Sequence, residues 1–241
     1  MEGCPFWLSV VTVTYNCEDI LEATIQSVIQ YKDARMEYII IDGGSTDKTL
    51  DCISKYSDSI DFFISEPDRG IYDAMNKGIK AAKGIYILNV NAGDCLIDFP
   101  TRYLTERILI EKYDLIMFNV LLSSKKIFNN HISKKLKITN TVHHQGAMYF
   151  RTPLFLYDLN YKVFADFDYN QRLYSKKTFH SLKIDKIISL HDLGGISHSK
   201  SFFGEIFRIT YKNFGAKYVV LSWLYYKYQG LKKRINLCIP F

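Results

Sequence analysis

Three blocks between Tyr38 and Asp94 constrain this chain more than any other feature: YIIIDGGSTDKT, SEPDRGIYDAMNKG and GIYILNVNAGD. In each, Asp, Asn or Gly clusters against an apolar run. A strand covered on both faces reads as an unbroken apolar run, and the polar cluster at its end is where an open α/β sheet binds ligands. Three such clusters in under sixty residues predict a nucleotide site assembled from successive strand ends.

The flanking pattern agrees. Leu8–Thr14 (LSVVTVT) reads as a buried parallel strand, and Ile20, Ile25, Val28 and Ile29 recur at helical spacing up to about Tyr31. Glu37–Ile41 is the second strand, followed by a helix capped by Ser45 or Thr46 and running to about Tyr56; Asp61–Ser65 is a short third strand. Ile71–Lys83 reads as a helix ended by Gly84, Ile85–Val90 as the fourth strand, 101–112 as a helix and Leu115–Val120 as a strand. This alternation predicts an α/β fold with a mostly parallel central sheet, flanking helices and right-handed crossovers. Beyond Leu121 the pattern loosens. Ser123–Asn140 reads as a hairpin or mobile loop, His143–Phe150 as a strand, Asp166–Lys176 as a helix and Thr178–Leu190 as one or two strands. Phe202–Tyr228 reads as a long helical stretch with a break at Gly215.

At 241 residues, with 48% apolar and 23% charged residues, the chain fits one globular domain with or without a C-terminal appendage. Five cysteines (4, 17, 52, 95 and 238) are dispersed without CxxC pairing, which fits reduced thiols in a cytoplasmic compartment. No signal-peptide pattern precedes the first strand, and the longest apolar stretch, Tyr218–Tyr226, falls short of a membrane span. The charge is uneven: from residue 200 onward eight Lys or Arg face Glu205 alone, although the whole chain carries only +6. The reading is a catalytic domain over 1–199 and a basic, aromatic helical tail over 200–241. Such a tail suits an anionic membrane surface, or packs back on the domain through Phe202, Phe203, Ile206 and Ile209. No nucleic-acid motif accompanies it.

The order of these blocks resembles the family 2 glycosyltransferases of GT-A fold, most strongly the bacterial polysaccharide branch of colanic-acid type, whose members carry a similar EPD-x-GIYDAMNKG segment. The resemblance covers residues 7–199 and is motif-dense over 7–94. It implies a sugar moved from a nucleotide-diphosphate donor onto an acceptor hydroxyl with inversion, in surface polysaccharide biosynthesis. It also implies a polyprenyl-diphosphate-linked saccharide as acceptor, with the protein peripheral at the inner face of the cell membrane.

Residue by residue, the resemblance places the nucleoside against Thr14, Tyr15 and Asn16 and against Asp42, although Asp-Gly-Gly-Ser is a good strand-to-helix turn by itself. Arg69, at a helix N-terminus beside Gly70, can meet a phosphate or ribose. Asp73 and Asn76 share one helix face and can brace the neighbouring strand-end loops. Asn91-Ala92-Gly93-Asp94 occupies the slot of the family's acidic metal motif, with Asn and Gly in place of two of the usual acids. That leaves Asp94 as the single carboxylate for Mg²⁺ or Mn²⁺, which take hard oxygen ligands and share them with substrate phosphates. An inverting transfer needs a carboxylate base. Asp166 matches the base position, with Asp168 as the second candidate, and both also fit capping of the helix they open. His144 and Gln145 match the family's HQ segment and would line the sugar or acceptor pocket; on a strand only one of His143 and His144 could face it. No partner set for zinc accompanies them. Leu193–Ser197 resembles a GG-x-S loop able to close on the diphosphate.

Rival classes fare worse. VTVTYNCED follows the first strand where a nucleotidyltransferase has G-x-G-(T/S)-R-x-x-P and a dinucleotide-binding protein has GxGxxG. The remaining alternative is a non-catalytic protein that keeps the fold and binds carbohydrate or lipid, since fold alone does not imply activity.

Overall fold

In β1 (Leu8–Thr14) and β2 (Met36–Asp42) every residue is buried, because each strand lies between parallel neighbours and under helices on both faces. The computed structural model describes residues 6–108, 111–152, 156–192 and 202–237. The elements run on through α1 (Leu21–Tyr31), α2 (Thr49–Ser54), β3 (Phe62–Ser65), α3 (Ile71–Ala81), β4 (Tyr86–Asn89), β5 (Cys95–Leu96) and α4 (Thr101–Ile108). Then come β6 (Leu115–Leu122), β7 (Ile127–Phe128), β8 (Ala147–Phe150), α5 (Ala165–Tyr174), β9 (Ser181–His191), α6 (Phe203–Phe214) and α7 (Ala216–Leu237).

They build one sheet in the order β3-β2-β1-β4-β8-β6-β9-β5, with β7 hairpinned onto β6. The run β3-β2-β1-β4 is parallel, as is β6–β9; β8 is antiparallel to both β4 and β6, and β5 to β9. The sheet is thus mostly parallel, as the sequence predicts. Alternation along the strands sorts the core into two layers. Val11, Val13, Ile39 and Ile41 meet Met75 and Ile79 of α3, Phe167 and Leu173 of α5, and Ile206 and Ile209 of α6. Leu8, Val10, Tyr38 and Ile40 meet Ile25 and Val28 of α1 and Leu104 of α4. At Gly78 a Cβ would collide with Val11, so α3 lies directly on β1 and tolerates a residue that costs about 1 kcal/mol in a helix interior.

Some elements depart from the sequence reading for a physical reason, and others settle between the alternatives it left open. Neither Ser45 nor Thr46 caps α2, which starts at Thr49; the Ser45 hydroxyl is bonded to Asp42 and the Thr46 N–H to Asn16. Gly84 is not the cap of α3, which ends at Ala81; a Cβ there would lie 2.5 Å from the Ser9 backbone nitrogen, so the chain passes tight against β1. The 123–140 segment is a hairpin through β7, turned at Lys125 (φ 62°), followed by a 3₁₀ turn over Lys134–Lys137. His143 and His144 are not on a strand: His144–Gly146 is a 3₁₀ turn, and β8 begins only at Ala147. Thr178–Leu190 resolves as the single strand β9, with a register shift opposite Met117–Val120. The two-residue β5 carries no signal that the sequence reading used.

α6 and α7 are separated at Gly215, whose φ of 82° a side chain would strain. α6 is fixed to the sheet side of the molecule by more than apolar contact. Buried Glu205 accepts hydrogen bonds from the Lys162, Val163 and Phe164 amides (2.9, 3.1 and 3.1 Å), the segment that leads into α5. Lys212 pairs with Asp158 at 2.9 Å and with Asp168 at 3.2 Å. Early in α7, Ser222 donates to the Ile138 carbonyl and Tyr226 bonds the Thr139 hydroxyl. No helix among the described residues is long and apolar enough to cross a membrane.

Candidate active site

Two groups of polar residues form where the strands end. The first joins β1 to β2. Asn16 sits in a left-handed conformation (φ 48°), donates its N–H to Ser45 Oγ at 2.8 Å and accepts from the Thr46 N–H at 2.9 Å. Asp42 is fully buried, and its carboxylate is filled by the turn itself. The Gly44 and Ser45 amides donate at 3.0 and 2.9 Å, Ser65 Oγ at 2.6 Å, and Ser45 Oγ as well. Thr14 is buried beneath, whereas Tyr15 is 60% exposed beside Gly43. Asp68, which the sequence reading passed over, crosses above that glycine. A Cβ on Gly43 would lie 2.5 Å from Asp68 Oδ2, so only glycine admits the carboxylate there. Its other oxygen accepts from the Gly70 amide, at the positive-φ residue that opens α3.

Arg69 is exposed, and its backbone N–H and Nε both reach Asp73 Oδ2, at 3.1 and 3.4 Å. Partial burial raises the Asp73 pKa, but the bonds from the Arg69 backbone and side chain and the nearby cations outweigh it and hold the carboxyl below its usual range. Asn76 is buried, with both ends of its amide on the Tyr157 backbone. It braces the approach to α5, not the strand-end loops.

The second group surrounds Asp94, which is 4% exposed. One carboxylate oxygen takes His191 Nδ1 at 2.8 Å and the Asp192 amide at 3.1 Å; the other accepts from Gln145 Nε2. Asn91 Nδ2 lies 3.1 Å from His144 Nε2, and His144 Nδ1 lies 3.8 Å from Asp166 Oδ2. Asp166 accepts from Asn140 Nδ2 at 3.0 Å, from its neighbour's amide (Phe167) at 2.8 Å, and from the Tyr72 hydroxyl at 3.3 Å. Burial, then the Asp166 charge, pushes the Tyr72 phenol well above its usual pKa, so it stays protonated; its one hydrogen goes first to the Val163 carbonyl at 2.5 Å, with Asp166 the longer contact. The 3₁₀ turn places His143 and His144 face to face with ring centroids 5.1 Å apart, and His143 lies 4.6 Å from the His191 ring. Asp168 faces elsewhere: fully buried, it bonds Arg172 Nε at 2.8 Å, Lys212 and Asn213.

Asp94, Asn91, His144, Gln145 and Asp166 are thus one cluster. His191, Asn140 and Tyr72 join it unannounced. His191 carried the same signal as the earlier motifs, a polar residue ending the apolar run IISL, but lies 97 positions from Asp94. The Leu193–Ser197 loop lies outside the described residues.

The donor set can be tested for a divalent ion. Among the described residues no three His, Cys, Asp or Glu side chains converge as a ready metal centre. Two buried amide oxygens beside Asp94, Asn91 Oδ1 and Gln145 Oε1, have no hydrogen-bond partner. Together with the Asp94 carboxylate they offer hard oxygen donors that fit Mg²⁺ or Mn²⁺, provided a diphosphate supplies further oxygens.

A mostly parallel sheet with acidic and amide groups at its strand ends defines the class of GT-A transferases. Residues 9–182 match the model of glycosyl transferase family 2, and the chain belongs to that family. It is 28% identical over 206 residues, 79% of each chain, to a PGL/p-HBAD biosynthesis glycosyltransferase of Mycobacterium tuberculosis. The fold is similar to that of Staphylococcus aureus TarS 1–349 in complex with UDP-GlcNAc, with a TM-score of 0.66 and 16% identity over 86% of this chain and 66% of that one. A mannosyltransferase from Pyrobaculum calidifontis in complex with GDP-Man and Mn²⁺ follows at 0.59 and 14%, over 84% of this chain and 60% of that one.

Proposed function

We propose that this glycosyltransferase moves a sugar from a nucleotide-diphosphate donor to an acceptor hydroxyl in one inverting displacement. The observation that carries the reading is the convergence of two nearly buried carboxylates, Asp94 and Asp166, on the linked side chains of Asn91, His144 and Gln145. Asp166 takes the acceptor proton as the acceptor oxygen bonds to the anomeric carbon. The bond from that carbon to the diphosphate breaks, and the electron pair leaves with the nucleoside diphosphate. Asn140 and the Phe167 amide hold the Asp166 carboxylate in place through the displacement. A Mg²⁺ or Mn²⁺ ion held by Asp94, with the Asn91 and Gln145 amide oxygens around it, would neutralise charge on the departing diphosphate. Tyr15 and Asn16 with Asp42, Asp68 and Arg69 form the nucleoside end, and Thr14 its floor. The bound molecules in the two structural relatives, UDP-GlcNAc and GDP-Man with Mn²⁺, support a nucleotide-sugar donor and a divalent ion.

The acceptor in this reading is a polyprenyl-diphosphate-linked saccharide of surface polysaccharide synthesis. The protein meets it at the cytoplasmic face of the membrane through α7, and residues 1–199 and 200–241 act as catalytic domain and tail. A second reading, a non-catalytic carbohydrate- or lipid-binding protein, draws on the single carboxylate at Asp94. The deciding experiment is a thermal-shift panel of UDP, GDP, dTDP and CMP, with and without Mn²⁺, on wild type and Asp94→Ala. Mn²⁺-dependent stabilisation by one nucleotide, lost in the variant, is the expected outcome. A folded protein that responds to none of the four would sink the donor site.

A further inference from the structure

The face of the molecule furthest from ordinary surface chemistry is the one made by α6 and α7. Val220, Leu224, Tyr228 and Leu231 are all exposed, spaced along one side of α7, with Leu221 and Trp223 exposed to either side of them. Lys217, Lys227 and Lys232 are interleaved with them, and α7 contains no acidic residue. Between the two helices lies an apolar groove of about 590 Å³, lined by Phe203, Phe207, Trp223, Tyr226, Lys227 and Gly230 among others. Phe203 and Tyr226 meet edge to face across it with centroids 4.6 Å apart, and Lys227 Nζ sits 4.7 Å from the Trp223 ring centre at its rim. A hydrocarbon-lined slot with one cation at its mouth matches a molecule with an apolar chain and an anionic head.

Both walls of the groove are anchored beside the proposed base. On α6, two residues after Phe203, Glu205 holds the three amides of Lys162–Phe164 that precede Asp166. On α7, Tyr226 bonds Thr139, the neighbour of Asn140, whose amide donates to Asp166. The helices that form the groove therefore also contact the segments that hold Asp166, which favours an acceptor over a bulk lipid as its occupant. We propose that the α6–α7 groove binds the hydrocarbon chain of a lipid acceptor bearing a phosphate or diphosphate head, with Lys227 at its mouth. This rests on the transferase reading, since it assigns the groove's occupant as the second substrate.

Gly230 gives a clean way to close the groove. It lies within α7, and a Cβ there meets nothing within 4 Å. A Gly230→Leu chain gains helix propensity, so its melting temperature should equal or exceed that of wild type. The test is a titration of the full chain with farnesyl diphosphate, following Trp223 emission, with Trp223→Phe identifying the signal. The expected result is a saturable change with farnesyl diphosphate and none with inorganic diphosphate, weakened at least tenfold in Gly230→Leu. Binding to phosphatidylglycerol vesicles should be the same for both chains. No response to farnesyl diphosphate, or an equal response in Gly230→Leu, overturns the proposal. So does a Gly230→Leu chain that loses its vesicle binding, which would make the groove a general bilayer contact. The nucleotide panel on the same wild-type sample separates the two levels. Nucleotide stabilisation without a farnesyl response removes the groove assignment alone, whereas failure of both removes the transferase reading with it.

Discussion

The two groups of polar residues at the strand ends hold their carboxylates in opposite ways. At the first, Asp42 is satisfied from close by: three of its four donors come from Gly44 and Ser45, within three residues, and the fourth is Ser65 on the neighbouring strand. At the second group, Asp94 is held by side chains 51 and 97 positions away, and Asp166, besides the adjacent Phe167 amide, by Asn140, twenty-six positions upstream. A locally satisfied carboxylate is a piece of turn geometry that forms with its own strand. A carboxylate satisfied from a distance exists in its working position only when the whole sheet has closed.

The sharpest way to break this contrast uses two acids on the same helix turn. Asp166→Asn should lower turnover by about 10²–10⁴-fold, because an amide cannot take the acceptor proton, with a stability loss of about 1–3 kcal/mol as a donor on the carboxylate loses its partner. Asp168→Ala should spare turnover and act on stability alone. It leaves the Arg172 and Lys212 charges without their buried partner, and since both cations are partly exposed the cost should be about 3 kcal/mol. Calorimetry beside a donor-turnover assay distinguishes the two. Equal losses of activity at unchanged stability would erase the division between Asp166 and Asp168.

A smaller effect is expected at the locally satisfied end. Asp42→Asn retains one acceptor oxygen in place of two, so one or two of the four donors lose their partner, at about 1–3 kcal/mol. Urea unfolding should show this together with weaker nucleotide binding. An unchanged midpoint would mean that the turn is not organised by Asp42.

The smallest effect concerns pH. At Asp158, burial opposes ionisation, but the Asn160 amide and the Lys212 ammonium outweigh it and lower the pKa. At Lys212, burial lowers the pKa, but the Asp158 hydrogen bond and the Asp168 charge outweigh that and raise it. The carboxylate therefore contributes stability that is complete above its unfolded pKa and is lost as pH falls through the lower folded value. The ammonium contributes stability that is complete below its unfolded pKa and is lost as pH rises through the higher folded value. Wild type should gain over Lys212→Met by a flat increment between about pH 5 and pH 9, shrinking at both extremes. Melting curves across pH 3–11 check this, and a pH-independent difference would remove the ion pair as its cause.

What the sequence made legible follows the same division. β1, β2 and α3 were readable because their burial is continuous or periodic and their polar ends are local. The GT-A topology also came through, on the strength of the family resemblance. The strand read over His143–Phe150 is present only from Ala147, for a reason invisible in its own pattern. Asn130, thirteen positions upstream, clamps the His143 backbone by accepting from its N–H and donating to its C=O. Gly146 then packs so tightly that a Cβ would lie 2.6 Å from the Asn130 amide and 2.8 Å from the Phe118 carbonyl. The cap assigned to Ser45 failed because Asp42 had prior claim on its hydroxyl. His191 was missed since only the closed sheet carries the end of β9 to Asp94.

The buried Glu205 carboxylate has a further consequence in time. Chains leave the ribosome N-terminus first, so Asp166 is synthesised thirty-nine positions ahead of the residue that fixes the segment before it. The Asp42 turn can form on a nascent chain. The approach to Asp166 is set only when α6 arrives, so the two groups of carboxylates are completed at different times.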